Sequence, residues 1–174
     1  MILIGLGGNL PSTVGSPAST IEAALAQLSA RGIKVVALSP FYESDPVPAS
    51  DQPTFVNVAA RIETSLPPEE LLSLLHRVED SFGRVRRVRN EARTLDIDLL
   101  DYDGLRRNGE AGPVLPHPRL HLRAFVLMPL ADIAPGWRHP VSGRSAAELL
   151  AALSPEVRAG VRPMPPAVRP SPQP

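Results

Sequence analysis

Thr94-Leu95-Asp96-Ile97-Asp98-Leu99-Leu100 alternates apolar and polar side chains with a period of two, the signature of a strand with one face on a core. Leu95, Ile97 and Leu99 turn inward on this reading, and Asp96 and Asp98 share the opposite face. Two carboxylates about 7 Å apart along one strand can hold hard cations between them. A pair of Mg²⁺ ions held this way would clamp the phosphates of a nucleotide. A solvated strand face explains D-x-D equally well when the motif is taken alone.

The residues just upstream shift that balance. Of the 18 basic residues only Lys34 is a lysine, and five arginines, Arg84, Arg86, Arg87, Arg89 and Arg93, crowd the approach to the acidic strand. Guanidinium groups grip phosphate oxygens in pairs and neutralise charge during phosphoryl transfer. The plainer reading is an exposed basic loop balanced by Glu79, Asp80 and Glu91. A basic loop next to a carboxylate pair is what a triphosphate needs, and that reading is preferred.

Further upstream, Pro67-Pro68-Glu69-Glu70 opens a helix whose stripe is Leu71, Leu74, Leu75, Val78 and Phe82, stopped at Gly83. Residues 55–63 alternate, with Val56, Val58, Ala60 and Ile62 on one side and Phe55, Asn57, Ala59 and Arg61 on the other. Residues 2–6 form an apolar strand, Gly7 and Gly8 begin a turn, and Ser16-Pro17 caps a helix ending at Gly32. Residues 33–38 are a strand that Phe41-Tyr42 continues, and residues 43–53, with three prolines, are a loop. Residues 120–130 look helical and broken near Pro129, and Ser145 to Glu148 is a capping box.

The order β-α-β-β-α-β predicts an α+β fold: a ferredoxin-like antiparallel sheet with helices packed on it and extra helices at the C-terminal end. We expect one domain over residues 1–162 and a Pro-rich, disordered tail over residues 163–174.

Composition narrows the function. The chain has 174 residues, no cysteine, and 18 basic against 18 acidic residues. Disulfides and thiolate catalysis are excluded, and bulk attraction to nucleic acid or membrane is not expected. No apolar run approaches a membrane span, and the start lacks a basic leader, so a cytoplasmic protein is expected. Gly5-Leu6-Gly7-Gly8 matches neither G-x-G-x-x-G nor a P-loop. Two rivals stay open. An RNA-binding module would display aromatics on its sheet, against a content of 4%. A nucleotidyltransferase would place a Gly-Ser turn shortly before the acidic pair.

Several stretches in order resemble the 6-hydroxymethyl-7,8-dihydropterin pyrophosphokinase family. They are residues 4–10, Ser39-Pro40-Phe41-Tyr42-Glu43-Ser44, Asp51-Gln52-Pro53-Thr54-Phe55-Val56-Asn57, Gly83-Arg84-Val85-Arg86, Arg93-Thr94-Leu95-Asp96-Ile97-Asp98, Pro116-His117-Pro118-Arg119 and Arg123-Ala124-Phe125-Val126-Leu127. The resemblance implies that ATP gives its β,γ-diphosphate to the hydroxymethyl group of the reduced pterin, leaving AMP, a step in folate biosynthesis. It further implies that Asp96 and Asp98 hold two Mg²⁺ ions and that Arg84 and Arg93 act in catalysis. Arg86, His117, Arg123 and His76 are expected to contact ATP. Ser44, Asp45, Pro46, Val47, Phe55, Asn57 and Phe125 are expected to form the pterin pocket. The partners it implies are small molecules alone, with no nucleic acid and no membrane, and a monomer. Asp45 stands where some members carry proline, and Pro48 where many carry glycine.

Overall fold

The computed structural model describes residues 1–83, 92–110 and 112–165. Its elements run β1 (Ile2–Gly8), α1 (Pro17–Ala30), β2 (Lys34–Leu38), β3 (Tyr42–Ser44), β4 (Phe55–Glu63), α2 (Pro68–Ser81), β5 (Asp96–Tyr102), β6 (Arg107–Asn108), β7 (Val114–Leu115), a 3₁₀ turn (Leu120–Leu122), α3 (Ala124–Ile133), α4 (Ala146–Ala151), α5 (Pro155–Ala159) and β8 (Val161–Pro163). The sheet order is β5-β1-β4-β3-β8, with β2 also on β4, and every pairing is antiparallel. β6 and β7 form a separate hairpin. Among the described residues no helix is long and apolar enough to cross a membrane.

Local chemistry sets the helix limits. The Ser16 hydroxyl accepts from Ser19 N, Pro17 follows it, and Gly32 leaves α1 at φ 83°, where a side chain would be strained. α2 begins on Pro68 with Glu69 and Glu70 in its first turn, where the helix dipole favours them. The two helices cover one face of the sheet. There Ile4 and Leu6 of β1, Val58, Ala60 and Ile62 of β4, and Ile97 and Leu99 of β5 meet Ile21, Leu28, Leu71, Leu75 and Val78. α3 and α4 cover the other face around Leu3, Leu100, Leu127, Leu130 and Trp137. The middle of β4 is therefore buried on both sides, Asn57 and Ala59 included.

Several expectations are corrected. Gly7 and Gly8 belong to β1 and not to a turn. Leu38 lies opposite Ala60 and Tyr42 opposite Asn57, so the second edge run carries one extra residue and splits at Ser39–Phe41 into β2 and β3. Pro40 cannot donate to the ladder, and the Ser39 hydroxyl takes the Ala59 N–H at 3.0 Å instead. Glu43 and Ser44 are strand residues between β4 and β8, not loop.

Pro129 does not break its helix. It is buried inside α3, where its missing N–H costs the helix the bond to the Phe125 carbonyl. Of the tail expected to be disordered, Pro163 pairs with Tyr42, Met164 N–H donates to the Phe41 carbonyl at 2.8 Å, and residues 166–174 lie outside the described residues. An edge strand tolerates proline because its outer side needs no donor.

The alternation along β5 also fails at one point. Leu3 faces Asp101 while Ile4 faces Leu99, so Leu100 is a bulge residue. Leu100 and Asp101 both turn toward α3, where Asp101 accepts from Trp137 Nε1 at 2.7 Å, and Tyr102 turns back toward α2.

Candidate active site

The α3 face of the sheet opens into a cavity of about 960 Å³. Its floor follows from register. Gly7 lies opposite Asp96 on one side and Asn57 on the other, and Gly5 opposite Asp98 and Ala59. Directly opposed residues share a face, so two glycines separate the acidic pair from the amide and leave a trough. A Cβ on Gly7 would sit 2.9 Å from Asn57 Oδ1, and one on Gly8 would sit 2.4 Å from the Thr94 carbonyl oxygen. Gly7 keeps the trough open, and Gly8 lets the strand leading into Asp96 approach β1.

The acidic end is a charge cluster. Asp96 Oδ2 accepts from Arg93 Nη1 at 2.5 Å. Asp98 Oδ2 lies 3.6 Å from Arg123 Nη1 and 3.8 Å from His117 Nε2. Burial, and then the Asp96 charge, push the Asp98 carboxyl above its usual range. Burial pushes His117 down, against the pull of Asp98. Between the two aspartates the Ile97 N–H donates to Glu79 Oε1 at 2.6 Å, and Glu79 is fully buried on α2. Because β5 is the last strand of the sheet, Glu79 satisfies a backbone donor that has no neighbouring strand.

Two carboxylates crowded at the end of a cavity are what a hard cation relieves. Among the described residues no set of three or more His, Cys, Asp or Glu could enclose a metal. A carboxylate pair is a donor set that fits Mg²⁺, which takes one or two carboxylates and fills its shell with phosphate and water oxygens.

The other end suits a flat, partly polar ring. Asn57 is buried and donates through Nδ2 to Ser44 Oγ at 2.9 Å. Phe55 and Phe125 line the space near it, with Arg93 6.0 Å and Arg123 5.4 Å from the respective ring centres. Ser44, Asp45, Pro46 and Val47 form the rim.

The structure therefore gathers Ser44, Asp45, Pro46, Val47, Phe55, Asn57, Arg93, Asp96, Asp98, Arg123 and Phe125 around one cavity. His117 stands just behind Asp98. It does not bring His76 there: that residue sits on α2, away from the cavity lining, because α2 covers the opposite face of the sheet. Arg84, Arg86 and the rest of residues 84–91 lie outside the described residues.

Three contributions went unread in the sequence. Asn9 accepts the Arg93 N–H at 2.9 Å and donates to the Pro53 carbonyl at 3.1 Å and Gln52 Oε1 at 3.3 Å, tying together the approaches to both ends. Glu79 was legible as the one charged residue on the Leu71–Leu75 stripe, four positions further on. The C-terminal arm supplies Glu156, Val157, Gly160 and Val161 to the wall. It is fixed by Asp45 N–H to the Gly160 carbonyl at 2.9 Å and by Arg162, which reaches Glu43 at 3.2 Å and Asp45 at 3.1 Å. No periodicity in a Pro-rich end signals this.

Comparison with known proteins gives the family and the fold. Residues 3–135 match the family model described as 7,8-dihydro-6-hydroxymethylpterin-pyrophosphokinase. A 2-amino-4-hydroxy-6-hydroxymethyldihydropteridine pyrophosphokinase of Pseudomonas aeruginosa is 43% identical over 152 residues, 87% of this chain and 90% of that protein. The folic acid synthesis protein fol1 of Pneumocystis carinii is 40% identical over 84% of this chain, which spans only 19% of its length. Among solved structures, the HPPK-DHPS of Plasmodium falciparum is similar with a TM-score of 0.64 and 13% identity, over 86% of this chain and 44% of that one, a likeness of fold.

Proposed function

The chain belongs to the 7,8-dihydro-6-hydroxymethylpterin-pyrophosphokinase family, and on that premise we propose that the cavity between β1, β4, β5 and α3 is where it performs a diphosphate transfer. ATP and 6-hydroxymethyl-7,8-dihydropterin are the substrates. The hydroxymethyl oxygen attacks the β-phosphorus of ATP, the bond from the β-phosphorus to the α-phosphate oxygen breaks, that oxygen stays with AMP, and the hydroxyl proton passes to solvent. AMP and the pterin diphosphate are the products, and the step serves folate biosynthesis. The observation that carries this reading is the row Asp96–Gly7–Asn57, which sets a carboxylate pair and a buried amide on the two sides of one glycine-floored trough.

Each end has its task. Asn57, steadied by Ser44, and the rings of Phe55 and Phe125 hold the pterin flat with its hydroxymethyl group toward the acidic end. Arg93 and Arg123 offset the charge of the phosphate chain, and the narrow trough aligns donor and acceptor. Asp96 and Asp98 would hold two Mg²⁺ ions, which supply further neutralisation of the phosphates when bound. His117 stands near enough to Asp98 to orient it or to meet a phosphate oxygen. Arg84 and Arg86 are assigned to the phosphates by resemblance alone. So is His76, whose place on α2 would require the nucleotide to reach past the β5 edge.

The strand order β5-β1-β4-β2 supports reading the sheet as a ferredoxin-like split βαβ unit with β3 and β8 added. The resemblance to the family supports a monomer, expected in the cytoplasm, where ATP is available.

Incubation with ATP, Mg²⁺ and the pterin should give pterin-dependent AMP, lost in Asp96→Ala. ADP, or released inorganic pyrophosphate, would refute the reading.

A further inference from the structure

Among the described residues three arginines line the cavity, and two have acidic partners: Arg93 bonds Asp96 and Arg123 faces Asp98. Arg119 has none among the described residues. The remaining acids of the wall are engaged elsewhere, Asp45 with Arg162 and Glu156 with Ser154 at the start of α5. The guanidinium of Arg119 is half-buried beside like charge, and its field lowers both Arg123 and His117. Its backbone is held rigidly. His117 N–H is bonded to the Leu100 carbonyl at 2.8 Å, Arg119 N–H donates to His117 Nδ1 at 3.3 Å, and fully buried Leu120 anchors the turn.

An uncompensated cation fixed on a rigid turn, beside a second cation and facing a cavity, is an arrangement completed by an anion. Its neighbour Arg123 lies over the Phe125 ring, at the acceptor end. The phosphates nearest that end are the two that are transferred, not the one left on AMP.

We propose that Arg119 is a phosphate-binding residue that grips the transferred diphosphate, in the nucleotide before transfer and on the pterin after it. This rests on the diphosphate-transfer reading above. Among the described residues Arg119 is the third guanidinium of the cavity wall and the one not matched to Asp96 or Asp98.

The test is calorimetric titration of the full chain, as wild type, Arg119→Ala and Arg119→Lys, with Mg²⁺-bound inorganic pyrophosphate, Mg²⁺-bound α,β-methylene-ATP, AMP and the pterin. Loss of a charge-assisted contact should weaken pyrophosphate and the triphosphate analogue between about 10- and 100-fold in Arg119→Ala. Lysine should recover part of that loss, and AMP and pterin should bind as in wild type. Three results would overturn the proposal: unchanged binding of both phosphate ligands in Arg119→Ala, an equal loss for AMP, or an equal loss for the pterin, which marks general damage. A wild type that binds these ligands yet makes no AMP would refute the reaction while leaving the Arg119 assignment decided by the same titrations. A wild type that binds neither phosphate ligand would end both.

Discussion

The α3 face of the sheet has two halves built on the same strands, and they differ by side-chain size. In β1 the residues on this face are Leu3, Gly5 and Gly7. Around Leu3 the half is closed, with Leu100, Leu127, Leu130 and Trp137 in contact and Asp101 satisfied by the Trp137 indole. Around Gly5 and Gly7 it is open, and the space that leucines would fill is a cavity edged by Asp96, Asp98 and Asn57. The cavity is thus made by removing side chains from a continuous sheet, not by parting two elements. Stability and chemistry then lie in neighbouring but separate halves and should respond to different substitutions.

The largest separation is expected at Asp98. Asp98→Ala should lower kcat/KM by about 10³-fold or more, while the apo protein melts at or above the wild-type temperature, because a buried like-charge contact is removed. A drop in melting temperature of several degrees would mean that the pair also holds the fold. In the closed half the converse should hold. Leu3 is fully buried, and Leu3→Ala should cost about 2–5 kcal/mol in urea unfolding with kcat little changed.

A smaller and more local effect is expected on the floor. Gly7→Ala puts a methyl group against Asn57 Oδ1, so KM for the pterin should rise roughly tenfold, the equivalent of one impaired hydrogen bond, with KM for ATP unchanged. Equal changes in both KM values would argue against separate ends.

The smallest effect is the pH dependence that His139 contributes to the closed half. His139 is buried beside Trp137 and accepts the N–H groups of Val141 and Ser142 at Nδ1, and burial holds its pKa below the ordinary value. The unfolded chain takes up a proton near pH 6.5 before the folded chain does, so this contribution is intact above that pH and is lost as pH falls below it. Stability should decline below pH 6.5 by less than about 1.4 kcal/mol per unit from this group, and His139→Gln should flatten the slope.

The same contrast explains what could be read in advance. β4, α2 and the start of β5 follow from the alternation of Val56–Ile62, the stripe Leu71–Val78 and the alternation of Leu95–Leu99, because their burial is periodic. The shared face of Asp96 and Asp98 comes from that last period. The bulge at Leu100 was invisible, since a period of two carries no record of a partner strand's register. Gly7 and Gly8 read as a turn because glycine looks the same in a turn and at a close approach, and only the distance to Asn57 or Thr94 separates the two. The passage of α3 through Pro129 and the pairing of Pro163 with Tyr42 both reverse local preference through tertiary contact. Asn9 and Glu79 are polar residues whose value lies entirely in partners distant along the chain.

The central claim is that this trough moves a diphosphate as one unit. A single-turnover reaction with ATP labelled at the β- or, separately, the γ-phosphorus tests it most directly. Both labels are predicted to arrive together on the pterin, with unlabelled AMP as the other product. Transfer of the γ-label alone, or recovery of both labels as free pyrophosphate, would contradict it.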